Sequence, residues 1–207
     1  MSGLLAVALA QEPPAGLTIG QGVAVVPVEK IQTPAPLFFS AEATVNTTLG
    51  MEWANTTMDL ALHVLQGKAE TLSLSLHGSG EIISVTGEGL KDWSVRTEPD
   101  GKRFLDLHPL LAVDGPKDWK WQVTGKADLR PTFAKAELLL PGAGNATGFT
   151  LVATLQAAAD VDLRVLQADG LLPVEGGNGR KFQGSGLPLL IAAVSRGGVA
   201  PRELDLT

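Results

Sequence analysis

Polar and apolar residues alternate along most of this chain, most legibly over residues 58–76. Met58, Leu60, Leu62 and Val64 alternate with Asp59, Ala61, His63 and Leu65. The alternation resumes after residue 69 as Leu72, Leu74 and Leu76 against Thr71, Ser73 and Ser75. Successive side chains of a strand point to opposite faces, so the stretch predicts a half-buried β-hairpin. The same period recurs downstream. Ile83 and Val85 share a predicted face, Trp93 and Val95 lead into Glu98-Pro99-Asp100-Gly101, and Leu105 and Leu107 form the return strand. Pro at the second position and Gly at the fourth are the chemistry of a type I turn.

Further faces are predicted for Trp119, Trp121 and Val123, for Ala134, Ala136, Leu138 and Leu140, for Phe149, Leu151, Ala153 and Leu155, and for Val161, Leu163 and Val165. Turn signals recur at the spacing of a sandwich or barrel, and no segment carries a capped 3.6-residue period. The fold class expected is therefore all-β, an antiparallel β-sandwich, immunoglobulin-like or larger. Two short echoes leave tandem modules open beside one larger sandwich. Gly89-Leu90-Lys91-Asp92-Trp93 returns as Gly115-Pro116-Lys117-Asp118-Trp119, and Leu62-His63-Val64-Leu65-Gln66 as Leu163-Arg164-Val165-Leu166-Gln167. The expected core comprises Leu60, Leu62, Val64, Leu72, Leu74, Leu76, Trp93, Val95, Leu105, Leu107, Trp121, Val123, Leu138, Leu151 and Val165.

The two ends differ from this body. Residues 4–10 are an apolar run closing on Ala8-Leu9-Ala10 before Gln11-Glu12-Pro13-Pro14, small residues where a signal peptidase cuts. Met1-Ser2-Gly3 lacks a basic residue, so residues 1–10 read as the tail of an export signal whose basic beginning lies upstream. Residues 11–37 read as a Pro/Gly-rich spacer with an edge strand over 23–28, interrupted by Pro27. Residues 38–207 form the sandwich region. The strand expected over 187–194 has no evident partner. Because an unpaired apolar strand is a liability, the polypeptide is expected to continue beyond Thr207.

Composition narrows function mainly by exclusion. Net charge is −6 over 207 residues, which argues against nucleic acid and anionic membranes as partners. The basic spots at Lys102-Arg103 and Arg180-Lys181 read as solvated loops. The longest apolar run outside the N-terminus is far short of a membrane helix. With no cysteine, thiolate catalysis, zinc–thiolate sites and disulfide frameworks are impossible. There is no P-loop, and the Gly-x-Gly pairs lack a third glycine.

His63 and His77 could face each other across the expected hairpin near Asp59, a facial-triad donor set. Asp59 and His63 are however about 13 Å apart along a strand, so no metal site is expected. Asp160 and Asp162 with Asp169 lack a calcium-loop pattern, and Glu81/Glu88 and Asp106/Asp114 are pairs any acidic chain supplies. Ser185 misses a nucleophile elbow by one position, and Ser79 reads as a turn. No catalytic residue and no cofactor is assigned.

The strongest binding candidates are Trp119 and Trp121, two residues apart on one face, which could stack on sugar rings if exposed. Packing in the core is the competing role for their bulk. The function expected is a non-catalytic, exported β-sandwich module, periplasmic or cell-surface, acting as a structural or protein-interaction segment of a larger cell-envelope protein. A carbohydrate-binding module using Trp119 and Trp121, and an accessory domain of an extracytoplasmic hydrolase, are the alternatives. The partner expected is a protein or a carbohydrate.

Overall fold

The computed structural model describes residues 35–129, 135–159, 161–176 and 180–196. The expected export signal (1–10), nearly all of the spacer with its edge strand, Ala134, Asp160 and the C-terminal residues 197–207 lie outside the described residues. Every regular element among the described residues is a strand: β1 (Phe38–Leu49), β2 (Trp53–Gln66), β3 (Leu72–His77), β4 (Glu81–Thr86), β5 (Leu90–Thr97), β6 (Arg103–Pro109), β7 (Lys117–Asp128), β8 (Lys135–Glu137), β9 (Leu140–Gly142), β10 (Gly148–Ala157), β11 (Val161–Pro173) and β12 (Lys181–Arg196). No helix among the described residues is long and apolar enough to cross a membrane.

The strands form two sheets. The larger runs β11-β12-β10-β1-β2-β7-β4, with β8 also paired to β12, and the smaller runs β5-β6-β3-β9. All-β architecture is thus as expected. The pairing departs from a purely antiparallel sandwich at one place, because β1 and β10 are parallel over Ser40↔Gly148 to Leu49↔Ala157.

The sheets share one core. Its large-sheet side is the alternate set Met58, Leu60, Leu62 and Val64 of β2, continued by Trp121 and Val123 of β7 and by Leu151, Ala153 and Leu155 of β10. Its small-sheet side is Leu72, Leu74, Leu105, Leu107 and Leu140. Two hydroxyls enter this core, and they satisfy each other: Thr47 and Thr56 are cross-strand partners whose Oγ1 atoms lie 3.1 Å apart. The Leu62 and Leu163 echoes lie in the same sheet, on β2 and β11, and the described strands form a single unit rather than tandem modules.

Several pairings differ from the sequence pattern, each for a visible reason. β2 and β3 are both strands, yet they are not a hairpin. Both edges of β2 are taken, by β1 and by β7, along nearly its whole length. The chain therefore crosses to the other sheet. Gly67 turns it at φ 84°, and hydrogen bonds from Ala69 N to Val113 O (3.2 Å) and from Gly115 N to Gly67 O (3.3 Å) tie the crossing to the loop before β7. In β4 a bulge between Ile82 and Ser84 breaks the alternation, so Val85 is buried while Ile83 is pushed out to 57% exposure.

Val95 is 40% exposed because β5 is a sheet edge, and Trp93 and Val165 are half-buried. The remaining twelve residues of the expected core are buried. The face predicted for residues 134–140 is split between sheets, β8 pairing with β12 and β9 with β3. The strand expected to lack a partner lies in β12, which is paired on both sides, by β11 and by β10 and β8.

Other local signals are realised directly. Gly101 N donates to Glu98 O at 2.9 Å, closing the expected turn between β5 and β6. The two Lys-Asp-Trp echoes each follow a glycine in the left-handed region, Gly89 at φ 74° and Gly115 at φ 104°, and each opens a strand. They are a shared way of starting a strand after a turn that L-residues disfavour.

Candidate functional site

Trp119 and Trp121 project from β7 toward the core, on the same alternate face as buried Val123. Their exposures are 7% and 2%, their ring centroids are 5.8 Å apart with planes inclined by 30°, and Trp121 Nε1 donates to Glu88 O at 3.0 Å. The turn Gly87-Glu88-Gly89 lies directly against them. A Cβ on Gly87 would stand 2.4 Å from Trp121 Cδ1, and one on Gly89 would stand 3.2 Å from Trp119 Nε1. The glycines let the backbone approach the indoles closely. A stacking platform requires open ring faces, and at these exposures both indoles lie mainly in the core. A recess of about 550 Å³ beside Trp119 is bounded by Gly89, Leu111 and Val113.

A second constellation escaped the sequence pattern. The polar alternates of β3, Ser73 and Ser75, look like a solvated face, yet they are buried. The segment after β9 continues along the edge of β3: Asn145 N donates to Ser73 O at 2.9 Å, and a Cβ on Gly144 would stand 2.4 Å from the same oxygen. The cross-strand register aligns Ser73 with Asp106 of β6, and Asp106 with Ser94 of β5. Asp106, 8% exposed, accepts from Ser73 Oγ at 2.6 Å and from Arg96 Nε at 3.1 Å. Arg96 also donates to Glu98 at 2.6 Å and sits 4.6 Å from the centroid of Phe104, a cation–π contact. Glu98 and then Asp106 hold the Arg96 guanidinium firmly protonated. Each member of this network has a partner within its own sheet, which is the condition under which buried polar groups are tolerated.

Beside it, Ser75 Oγ and His77 share a hydrogen bond of 2.9 Å through Nε2. The pair faces a groove of about 570 Å³ lined also by Lys102, Arg103, Phe104 and Leu187. Gly142 of β9 closes over it; a Cβ there would stand 2.5 Å from Ser75 Oγ and 2.7 Å from His77 Nε2. Burial, then the neighbouring Arg103 charge, holds His77 below the usual histidine range. The imidazole is therefore neutral near pH 7, and the pair offers a hydroxyl and a neutral ring for hydrogen bonding.

The sign of the resulting pH dependence follows. A histidine depressed in the folded state binds its proton more readily when unfolded. Its contribution to stability is complete above the unfolded value near 6.5 and is lost as pH falls from there through the folded value. The melting temperature is expected to drop between pH 7 and 5 more steeply for the native chain than for His77→Gln, which keeps a hydrogen-bonding side chain without the titration. Parallel pH profiles in thermal melts would remove His77 from this role.

The other candidates do not converge. His63 Nδ1 lies 3.0 Å from Asp118 Oδ1, and Asp59 accepts from Gln122 Nε2 at 2.8 Å, both on the outer face of the large sheet. His77 is in the other sheet, so the facial-triad geometry does not form. Among the described residues there is no group of three or more metal-ligating side chains. His108 bonds Thr71 Oγ1 at 3.1 Å. Arg103 donates to the carbonyls of Gly78 (2.6 Å) and Gly80 (2.7 Å), and Lys102 pairs with Asp100 at 2.7 Å, so this basic spot staples loops. Ser79 sits in its turn, donating to Glu137 O, and Ser185 is an exposed residue of β12.

No protein-family model matches the chain, and no curated protein matches it. Among solved structures it is similar to yeast LTA4 hydrolase, at 16% identity and a TM-score of 0.45, over 79% of this chain and 30% of that one. It is also similar to an M1 zinc metallopeptidase from Deinococcus radiodurans, at 8% identity and a TM-score of 0.39, over 76% of this chain and 42% of that one. The chain spans less than half the length of these proteins.

Proposed function

We propose that this chain is a non-catalytic, exported β-sandwich module that acts as a structural or protein-interaction segment of a larger cell-envelope protein, in the periplasm or on the cell surface. The observation that carries this reading is the outer face of the large sheet. Across β10, β1, β2 and β7 the register sets Thr154, Asn46, Thr57 and Thr124 in one row, and Val152, Thr44, Asp59 and Gln122 in the next. These side chains are exposed or half-buried, short and mostly uncharged. They form a broad polar field, the kind of surface that stays solvated and that hydrogen-bonds a protein neighbour through a polar interface. His63, His108, Ser79 and Asp106 are instead hydrogen-bonded to neighbouring strands and loops, and His77 to Ser75 of its own strand.

The test is fractionation of source cells making the protein with its native upstream region, with mass analysis of the N-terminus. An envelope fraction and a processed N-terminus are expected. Unprocessed protein confined to the cytosol would overturn the reading. An accessory domain of an extracytoplasmic hydrolase is a narrower form of the same proposal, and a hydrolase catalytic domain continuous with the recovered polypeptide would select it.

A further inference from the structure

We propose that β11 is a self-association strand, pairing with β11 of a second copy in antiparallel fashion about a two-fold axis at Leu163. The proposal rests on the module reading and names the partner of one of its surfaces. β11 ends the large sheet, and among the described residues no strand pairs with its outer edge. Unpaired backbone donors and acceptors along such an edge are a template for another strand.

The sheet edges are not equivalent. β4 is short and carries the bulge at Ile83, and β9 is three residues long. The charges of β5 are engaged within the chain: Arg96 with Asp106 and Glu98, Asp92 with Lys91 and His108. β11 is regular over residues 161–165, up to the bulge between Val165 and Gln167.

The order of residues in that stretch is what selects a second copy. Val161, Leu163 and Val165 face the core but are only half-buried, as if at an unfinished margin, while Asp162 and Arg164 point the other way and are exposed. Neither Asp162 nor Arg164 has an ion-pair partner among the described residues; across the strand they meet Ser195 and Ala193. A two-fold axis at Leu163 places Leu163 against its own copy and Val161 against the partner's Val165. On the other face it places Asp162 against the partner's Arg164, twice by symmetry. The apolar margin is then continued across the junction, and each charge gains an opposite one directly across the strands, where such pairs are favourable and like pairs are not. The interface is isologous, as a closed dimer requires.

Sedimentation equilibrium and light scattering on the full chain test this. A mass twice the 21.5 kDa of the chain is expected at raised concentration. Arg164→Asp sets carboxylate against carboxylate in both pairs, and Asp162→Arg sets cation against cation. Each is expected to weaken the dimer by roughly tenfold or more, with an unchanged melting temperature for the monomer, since both positions are exposed. An equimolar mixture of D162R and R164D restores opposite charges, as does the double variant D162R/R164D, and both are expected to dimerise. A native chain that stays monomeric at its highest soluble concentration, or a dimer indifferent to both single reversals, would overturn the proposal. Failure here and failure of the module reading are distinct: a monomer found in the envelope removes only the dimer, and a dimer confined to the cytosol removes only the module.

Discussion

Leu74→Asp is expected to abolish folding of the described domain. Leu74 is fully buried at the centre of β3, cross-strand from Leu105, and β3 lies between β6 and β9. Its neighbours on both faces are buried, Leu72 and Leu76 on the core side and Ser73 and Ser75 on the other. Removing the leucine costs about 2–5 kcal/mol as a core truncation. A carboxylate in its place would face only apolar core residues among the described residues, and burying an unpaired charge costs several kcal/mol more, or forces the acid to stay protonated. Together these approach or exceed the roughly 5–15 kcal/mol by which a domain is stable. Circular dichroism and thermal melting should show no cooperative transition. Leu74→Met, which conserves volume, is expected to lose less than about 1.5 kcal/mol. A normal melt for L74D would mean that the Leu face of β3 is not the core face.

Trp121→Ala is expected to cost about 3–5 kcal/mol, the range for deleting a large aromatic from a packed core. Two losses combine. The indole is 2% exposed, so its removal opens a cavity beneath the turn Gly87-Glu88-Gly89. The hydrogen bond from Nε1 to Glu88 O is lost as well, leaving that carbonyl to find water. Trp121→Phe keeps most of the bulk and should lose clearly less. Urea unfolding followed by circular dichroism gives both values. A loss under about 0.5 kcal/mol for W121A, the level of an ordinary surface change, would place the indole at the surface and reopen the sugar-stacking role.

These two residues show how differently the pattern speaks at different levels. The facing of Leu74 was legible from the Leu-Ser alternation alone. So was the facing of Trp121 relative to Val123, but not whether that face met solvent or a second sheet, since a period of two assigns residues to faces and does not say what covers them. The same limit hid Ser73, Ser75 and Asp106. Serines alternating with leucines suggest a solvated face, yet here Ser73 bonds Asp106, Ser75 bonds His77, and both serines are buried. Ile83 was misplaced because a bulge shifts the alternation by one residue and leaves no mark in the local order of polar and apolar positions.

What the amino-acid order determined by itself was local: the all-β class, most of the strands, the turn at Glu98-Pro99-Asp100-Gly101 and twelve core positions, because side-chain spacing and turn chemistry act over a few residues. The tertiary structure decided which strand lies beside which. It separated β2 from β3, set β1 parallel to β10, enclosed the β12 strand that looked unpartnered and left β11 at the edge. Backbone hydrogen bonds are nearly the same for every residue, so a strand's sequence encodes its faces far more strongly than its neighbours, and the neighbours are settled only when all the apolar faces are buried at once.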